Sequence, residues 1–259
     1  MRCVAARTRR GTHVASLLEV RNISKRFGGV VAVEDLNFVI RKGEILGLIG
    51  PNGAGKTTVF NMISGIQRPT TGTITLEGQN LVGLRPDQIA RKGVARTFQS
   101  SSFLPGMSVY ENVYLAAAFR SLAAIQRRAA PDVTEAALRA TGLVDVAERP
   151  AELLNVSQHK RLEIARAVAT EPVLLMTDEI VAGLNNAETD EVLDILVRLN
   201  GTGITLVFVE HDVRAVLSVS QRLIVLAQGR CMAEGDPHEV ARSPEVIKVY
   251  LGRRYAQNQ

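Results

Sequence analysis

Short apolar runs, separated by turns rich in glycine, lysine and arginine, dominate the first third of the chain. Runs of this length that contain β-branched residues predict strands. We predict strands over residues 17–20, 37–40, 45–49, 73–77 and 94–98. A helix is predicted at 56–64, directly after the third strand and its glycine-rich turn, and Gly65 ends it.

The pattern changes after about residue 100. Apolar positions within 108–120 and 131–143 recur with helical spacing, and β-branched runs become scarce. From residue 157 onward helices alternate with buried strands, which indicates a parallel sheet with crossover helices. The predicted order is helix 158–170, strand 173–178, helix 187–200, strand 205–209, strand 222–227 and two short helices at 237–242 and 244–251.

Length and composition fit one α/β domain with a helical insert. The chain has 259 residues, and 46% of them are hydrophobic, which suffices for a sizeable core. We assign residues 16–259 to the domain and about 100–157 to the insert. Residues 1–15 carry four arginines and no apolar segment of signal-peptide length, so we expect a disordered basic tail.

The charge balance is mildly basic. Lys and Arg total 31 against 26 Asp and Glu, a net charge of +5. This suits a polyphosphate ligand or an anionic membrane surface and is weak evidence for nucleic acid. No apolar run approaches the ~18 residues that a membrane span requires, and Cys3 and Cys231 lack the spacing of a metal site.

The most specific chemical motif follows the strand predicted at 45–49. It fits G-x-x-x-x-G-K-[ST], whose backbone N–H groups surround phosphate oxygens at the start of a helix. We expect Lys56 to reach the β- and γ-phosphates and the Thr57 hydroxyl to bind Mg²⁺. The predicted phosphate loop consists of Gly50, Pro51, Asn52, Gly53, Ala54, Gly55, Lys56, Thr57 and Thr58.

A second candidate element ends the strand predicted at 173–178. Asp178 and Glu179 follow an apolar run, and a carboxylate at the C-terminal end of a parallel strand faces the ligand crevice. Asp178 is placed to hold Mg²⁺, and Glu179 to polarise an attacking water. Together with the phosphate loop, this pair indicates a P-loop nucleoside triphosphatase.

From residue 17 to residue 252 the order of motifs resembles the nucleotide-binding subunit of an ABC transporter. The resemblance implies a P-loop core in which a parallel sheet is joined by an antiparallel β subdomain and an inserted helical subdomain. It implies ATP and Mg²⁺ as cofactors. It also implies that Phe27 stacks on adenine, that Gln99 senses Mg²⁺ and the attacking water, and that His211 binds the γ-phosphate. The dimer-crossing loop would be Ala182, Gly183, Leu184 and Asn185.

Several segments are similar to the ATPases of branched-chain amino-acid importers, and the related urea and amide importers remain an alternative. The segments are 26–29, 93–99, 161–167, 182–185 and 244–252. Such importers combine two related ATPases, two membrane-spanning permeases and an extracytoplasmic solute-binding protein. The resemblance therefore implies a peripheral protein on the cytoplasmic face of the inner membrane. It does not favour a soluble ATPase acting on nucleic acid, because the coiled-coil insertion or second core typical of those proteins is missing from the sequence.

The signature segment departs from the family pattern. Where the family has Leu-Ser-Gly-Gly-Gln or Leu-Ser-Tyr-Gly-Gln, this chain has Leu154 followed by Asn155, Val156, Ser157 and Gln158. Asn155 can still donate a hydrogen bond. Ser157 would either crowd the approach of phosphate or act as the N-cap of the next helix.

Because each ABC site pairs one chain's phosphate loop with its partner's signature, the altered segment predicts an asymmetric heterodimer. The alternative is a nucleotide-gated subunit with weak or no hydrolysis. Three nearby departures, Thr177, Ile180 and Asn186, also suggest altered catalysis.

Overall fold

A computed structural model describes residues 15–97, 103–120 and 128–249. The described chain forms two units, one from residues 15–86 and 207–249 and the other from 87–206. Of the predictions above, those for residues 1–14, for Phe98 and Gln99, and for residues 250–252 lie outside the described residues.

An antiparallel sheet occupies the N-terminal part of the first unit. Its strand order is β2-β1-β4-β5, and its central strand β1 pairs on both sides. Leu18, for example, lies opposite Leu76 on one side and Ile40 on the other, and all three side chains are buried. The strands are β1 (Ser16–Phe27), β2 (Val30–Arg41), β4 (Thr71–Leu76) and β5 (Gln79–Asn80). An antiparallel β subdomain is thereby confirmed.

Parallel pairing follows in the same unit. Strand β3 (Ile45–Ile49) is buried along its length and pairs in parallel with β9 (Arg222–Ala227). Strand β10 (Arg230–Gly235) returns antiparallel to β9 through a tight turn. In that turn Gln228 and Gly229 both have positive φ, as a two-residue hairpin loop requires. The helices here are α1 (Lys56–Ile63), α7 (Val213–Val219) and α8 (Pro237–Ala241), and residues 244–249 are also helical.

The second unit joins a short parallel pair to a helical cluster. Strand β6 (Val94–Arg96) pairs in parallel with β7 (Leu174–Asp178), whose five residues are all buried. The helices are α3 (Val109–Ala118), α4 (Ala130–Thr141), α5 (Val156–Val168) and α6 (Asn186–Gly201). Helices α3, α4 and α5 share one apolar core that includes Val113, Leu138 and Leu162. The predicted α/β class with a helical segment is confirmed.

Two elements span the boundary between the units, α2 (Pro86–Arg91) and β8 (Thr205–Val209). Every helix in the described parts of the chain is too short or too polar to cross a bilayer.

Candidate functional site

Two glycines of the loop between β3 and α1 sit where only glycine fits. Gly50 has φ +158°, and a Cβ on it would lie 2.3 Å from the carbonyl oxygen of Leu226. Gly55 has φ +102°, and its Cβ would lie 2.7 Å from the carbonyl oxygen of Ala32. Because these neighbours are backbone atoms, they cannot yield as a side chain would. The loop is therefore packed tightly against β9 and β2.

Lys56 is held inside this loop. Only 7% of the residue is exposed, and its Nζ donates to the carbonyl oxygens of Gly50 at 2.6 Å and Pro51 at 3.2 Å. A lysine in this position can exchange a carbonyl partner for an anionic oxygen with little movement of its backbone. The cation expected to reach phosphate is thus already oriented by the loop.

The first turn of α1 supports binding of an anion. The N-cap Gly55 provides no side-chain cap, and the turn contains no acidic residue. The N-terminal end of a helix carries partial positive charge and amide donors that attract phosphate. Thr57, the predicted Mg²⁺ ligand, is exposed in this turn.

Phe27 ends β1 and leaves 45% of its surface exposed. The Nζ of Lys25 lies 5.0 Å from the centre of its ring and also donates to the carbonyl oxygen of Arg68 at 2.7 Å. An exposed aromatic ring at the end of a strand can stack on a nucleobase. The neighbouring lysine was not identified from the sequence.

His211 follows β8 and is exposed. The next residue, Asp212, caps α7 by accepting a hydrogen bond from the backbone N of Arg214 at 2.9 Å.

A cavity of about 690 Å³ in this unit borders the phosphate loop, within the size range of small-molecule pockets. Its walls include residues 51–54 of the loop, the turn of the β9–β10 hairpin, and the side chains of Glu245 and Lys248.

In the second unit, Asp178 ends β7 with 2% of its surface exposed. Its Oδ2 accepts a hydrogen bond from the Nη2 of Arg96 at 3.1 Å, and its backbone N donates to the Oγ1 of Thr97 at 3.3 Å. Burial lowers the pKa of Arg96, while the charge and hydrogen bond of Asp178 raise it. Arg96 was not singled out from the sequence.

Glu179 is half-buried and has φ +53°, an uncommon conformation for a residue with a side chain. Backbone strain of this kind clusters at functional sites. The Nζ of Lys160, on α5, donates to the carbonyl oxygen of Glu179 at 3.2 Å. Glu179, the residue predicted to polarise water, is therefore hydrogen-bonded to the helix that begins at the signature segment. The sequence did not identify Lys160, which makes this contact.

The signature segment forms the first turn of α5, and Asn155 caps it. The Oδ1 of Asn155 accepts from the backbone N of Gln158 at 2.8 Å, and the Oε1 of Gln158 accepts from the backbone N of Asn155 at 3.1 Å. The suggestion that Ser157 is the N-cap is wrong. Ser157 lies within the first turn and is buried, and its Oγ has no hydrogen-bond partner among the described residues. Val156 is 57% exposed.

Two further residues of α5 are notable. His159 stacks on Phe103, with ring centres 5.0 Å apart and planes 5° apart, and its Nε2 lies 2.8 Å from the carbonyl oxygen of Ala151. Glu163 is 8% exposed, and burial raises its pKa to about 7 although Lys160 and Arg166 lower it.

The predicted dimer loop joins β7 to α6. Gly183 has φ +83°, and Asn185 caps α6 by accepting from the backbone N of Glu188 at 3.0 Å. Glu188 in turn accepts from the backbone N of Asn185, also at 3.0 Å. Ala182 and Leu184 lie in the same loop. Its shape is therefore set by a glycine and a reciprocal cap.

The donor types in the two units fit a nucleoside triphosphate and Mg²⁺. The tight glycine loop, the enclosed Lys56 and the uncapped start of α1 suit phosphate, while the Thr57 hydroxyl and the Asp178 carboxylate are the hard oxygen ligands that Mg²⁺ prefers. The described residues contain no cluster of three or more His, Cys, Asp or Glu side chains.

Comparison with protein families gives two matches. Residues 33–182 match the ABC transporter family. Residues 230–256 match the family described as branched-chain amino acid ATP-binding cassette transporter. The first match spans the phosphate loop, both carboxylates and the altered signature segment.

Curated relatives are similar over nearly their whole length. The high-affinity branched-chain amino acid transport ATP-binding protein BraF of Pseudomonas aeruginosa is 40% identical over 251 residues, which is 91% of this chain and 98% of that protein. The corresponding LivG protein of Escherichia coli is 42% identical over 249 residues, again 91% and 98%.

Solved structures of ATP-binding cassettes have the same fold as this chain. A nucleotide-free ATP-binding cassette from an ABC transporter superimposes with a TM-score of 0.82 at 28% identity, covering 91% of this chain and 99% of that one. The ADP conformation of such a cassette gives 0.82 at 29% identity, with 92% and 99% covered.

Proposed function

The chain belongs to the ATP-binding subunits of ABC transporters, and we propose that it hydrolyses ATP to energise the import of branched-chain amino acids. Proteins of this family bind ATP with Mg²⁺. The observation that carries the proposal is the phosphate loop, in which Lys56 is enclosed by carbonyl oxygens at the start of an uncapped helix.

In this proposal the phosphate loop and Lys56 bind the triphosphate, and Phe27 stacks on the adenine. Mg²⁺, held by Thr57 and Asp178, would neutralise charge on the phosphates. Phe27, with 45% of its surface exposed, and the exposed residue Thr57 are accessible for these contacts. Gln99, which lies outside the described residues, is the third proposed Mg²⁺ ligand.

Glu179 would polarise the attacking water, and His211 would bind the γ-phosphate. The left-handed backbone of Glu179 supports this role, because it is a strained conformation at the end of the strand that bears Asp178. The exposure of His211 at the end of β8 leaves its ring accessible to a ligand.

We further propose that this chain pairs with a second, related ATPase and that the two sites of the dimer are unequal. In a dimer of this kind residues 155–158 would complete the partner's site, and 182–185 would cross the interface. The Oδ1 of Asn155 is engaged in capping its own helix, and the buried Ser157 offers no exposed hydroxyl. Removing one preorganised donor costs on the order of a hundredfold in rate, so the site that this segment completes would turn over slowly.

The remaining partners follow from the proposed import. They are two membrane-spanning permeases and an extracytoplasmic solute-binding protein, with this chain on the cytoplasmic face of the inner membrane. The branched-chain substrate is supported by the match at 230–256 and by the functions named for BraF and LivG.

ATP turnover tests the proposal. Binding of Mg·ATP and release of phosphate are measured for this chain alone and with its partner ATPase and permeases, comparing the parent with Lys56→Ala. We expect Lys56→Ala to abolish nucleotide binding, while the matched variant Lys42→Ala, an exposed lysine of the same unit, retains it. If Lys56→Ala bound Mg·ATP as tightly as the parent, the proposal would be wrong.

Uptake assays identify the substrate. Cells lacking this gene are supplied with labelled leucine, isoleucine, valine or urea. Loss of amino-acid uptake, restored by the parent but not by Lys56→Ala, supports a branched-chain importer. Loss of urea uptake alone would assign the chain to the urea importers.

A further inference from the structure

A buried ion pair connects the end of β6 to the end of β7. The Nη2 of Arg96 lies 3.1 Å from the Oδ2 of Asp178, and the side chains are 8% and 2% exposed. Such a pair is far less screened by water and salt than a pair on the surface. The guanidinium therefore supplies strong charge compensation to this carboxylate.

Asp178 needs such compensation. An ionised carboxylate that is withdrawn from water is costly unless a cation or several hydrogen-bond donors accompany it. In the proposed function Asp178 is a ligand of Mg²⁺. Arg96 therefore provides positive charge to the same carboxylate that the metal would use.

The backbone around Arg96 is fixed, so any exchange would have to occur at its side chain. The backbone N of Thr97 donates to the carbonyl oxygen of Met176 at 3.0 Å, and the backbone N of Asp178 donates to the Oγ1 of Thr97 at 3.3 Å. Arg96 itself pairs with Met176 in the parallel register of β6 and β7. The long arginine side chain can reorient while the two strand ends stay joined.

We propose that Arg96 is a positioning residue that acts as the counter-ion of Asp178 when Mg²⁺ is absent. In that role it sets the Mg²⁺ concentration at which the nucleotide complex forms. Binding of Mg²⁺ at Asp178 must then displace the guanidinium or share the carboxylate with it, so Arg96 raises the Mg²⁺ requirement. The inference rests on the proposed role of Asp178 as a metal ligand.

The experiment measures binding, not turnover. A fluorescent ATP analogue is titrated in the full chain carrying Glu179→Gln, which suppresses hydrolysis, over a range of Mg²⁺ concentrations. An opposite charge a few ångströms away shifts the affinity of a carboxylate for a cation by about tenfold or more. We therefore expect Arg96→Gln to lower the half-saturating Mg²⁺ concentration by about tenfold, and Arg96→Lys, which keeps the charge, to restore the parent value.

Arg120→Gln is the matched control. Arg120 is also a buried arginine of this unit, and its Nε lies 3.0 Å from the Oε2 of Glu171, which precedes the start of β7, whereas Asp178 ends that strand. Its removal should leave the Mg²⁺ dependence unchanged. If Arg120→Gln produced the same shift as Arg96→Gln, the effect would be general loosening of the unit, and the inference would be overturned.

Two further outcomes separate this inference from the proposed function. An unaltered Mg²⁺ requirement, or a higher one, in folded Arg96→Gln refutes the counter-ion role. Should Arg96→Gln not fold, Arg96→Met is measured in the same way. Asp178→Asn should raise the half-saturating Mg²⁺ concentration whether or not Arg96 is changed, and if the Mg²⁺ requirement stayed at the parent value, the metal-ligand role of Asp178 would itself be wrong.

Discussion

Replacing Glu163 by glutamine should stabilise the chain in a strongly pH-dependent manner. The residue is 8% exposed, and neither carboxylate oxygen has a hydrogen-bond partner among the described residues. Burial raises its pKa from 4.5 to about 7, against the opposing influence of Lys160 and Arg166. The folded chain therefore keeps a proton that the unfolded chain releases between these two values.

The sign and the size follow from proton linkage. Below pH 4.5 the carboxyl group is protonated in both states and has no effect. As the pH rises the unfolded state binds fewer protons, so the free energy of unfolding falls until the folded group ionises near pH 7. The raised pKa lowers the free energy of unfolding by about 3 kcal/mol above pH 7 and by about 1 kcal/mol near pH 5.5. Glutamine, being neutral and similar in size, avoids this cost at every pH.

Urea denaturation at several pH values tests this prediction. We expect the stabilisation by Glu163→Gln to grow by about 2 kcal/mol between about pH 5.5 and about pH 8.5. Glu148→Gln, a change at an exposed glutamate of the same unit, should show no such trend. A gain that is equal at all pH values, or no gain at all, would refute the linkage.

Two further variants test the phosphate loop and the signature segment. Gly55→Ala should abolish nucleotide binding and destabilise the chain by more than about 3 kcal/mol, because its Cβ would meet backbone at 2.7 Å. Gly53→Ala, which has φ +78° and open space, should cost only about 1–2 kcal/mol in thermal unfolding. Asn155→Ser combined with Ser157→Gly should raise steady-state phosphate release by about tenfold or more with little change in melting temperature, since serine caps helices about as well as asparagine. Unchanged phosphate release would mean that the departures are tolerated.

Strands buried on both faces were predicted best. The bounds of β3 and β8 agree with the prediction, because each is a short apolar run with clear polar or glycine boundaries. By contrast, β1 was predicted to end at residue 20 but continues to Phe27. Its register shifts around Asn22, which has φ +50°, and this breaks the alternation that sequence patterns rely on.

Capping at the signature could have been predicted, whereas the buried ion pair could not. Asn155 followed by Gln158 has the spacing of a capping box, and this spacing alone predicts the cap that the structure contains. Arg96 and Asp178 are 82 positions apart, and their pairing depends on the parallel register of two strands. Local patterns do not encode that register. The short helix α2 and strand β10 were missed because neither shows a clear hydrophobic period.

The hydrogen bond from Lys160 to the carbonyl oxygen of Glu179 connects the helix that carries the signature segment to the residue proposed to polarise water. In the proposed dimer, the first turn of α5 faces the triphosphate bound by the partner subunit, while Glu179 acts on the triphosphate bound by its own chain. Through this hydrogen bond we expect a displacement of α5 to shift the main chain of Glu179, so that a change at the signature segment also alters hydrolysis at the chain's own phosphate loop. The altered signature segment would then slow ATP hydrolysis at both sites of the dimer.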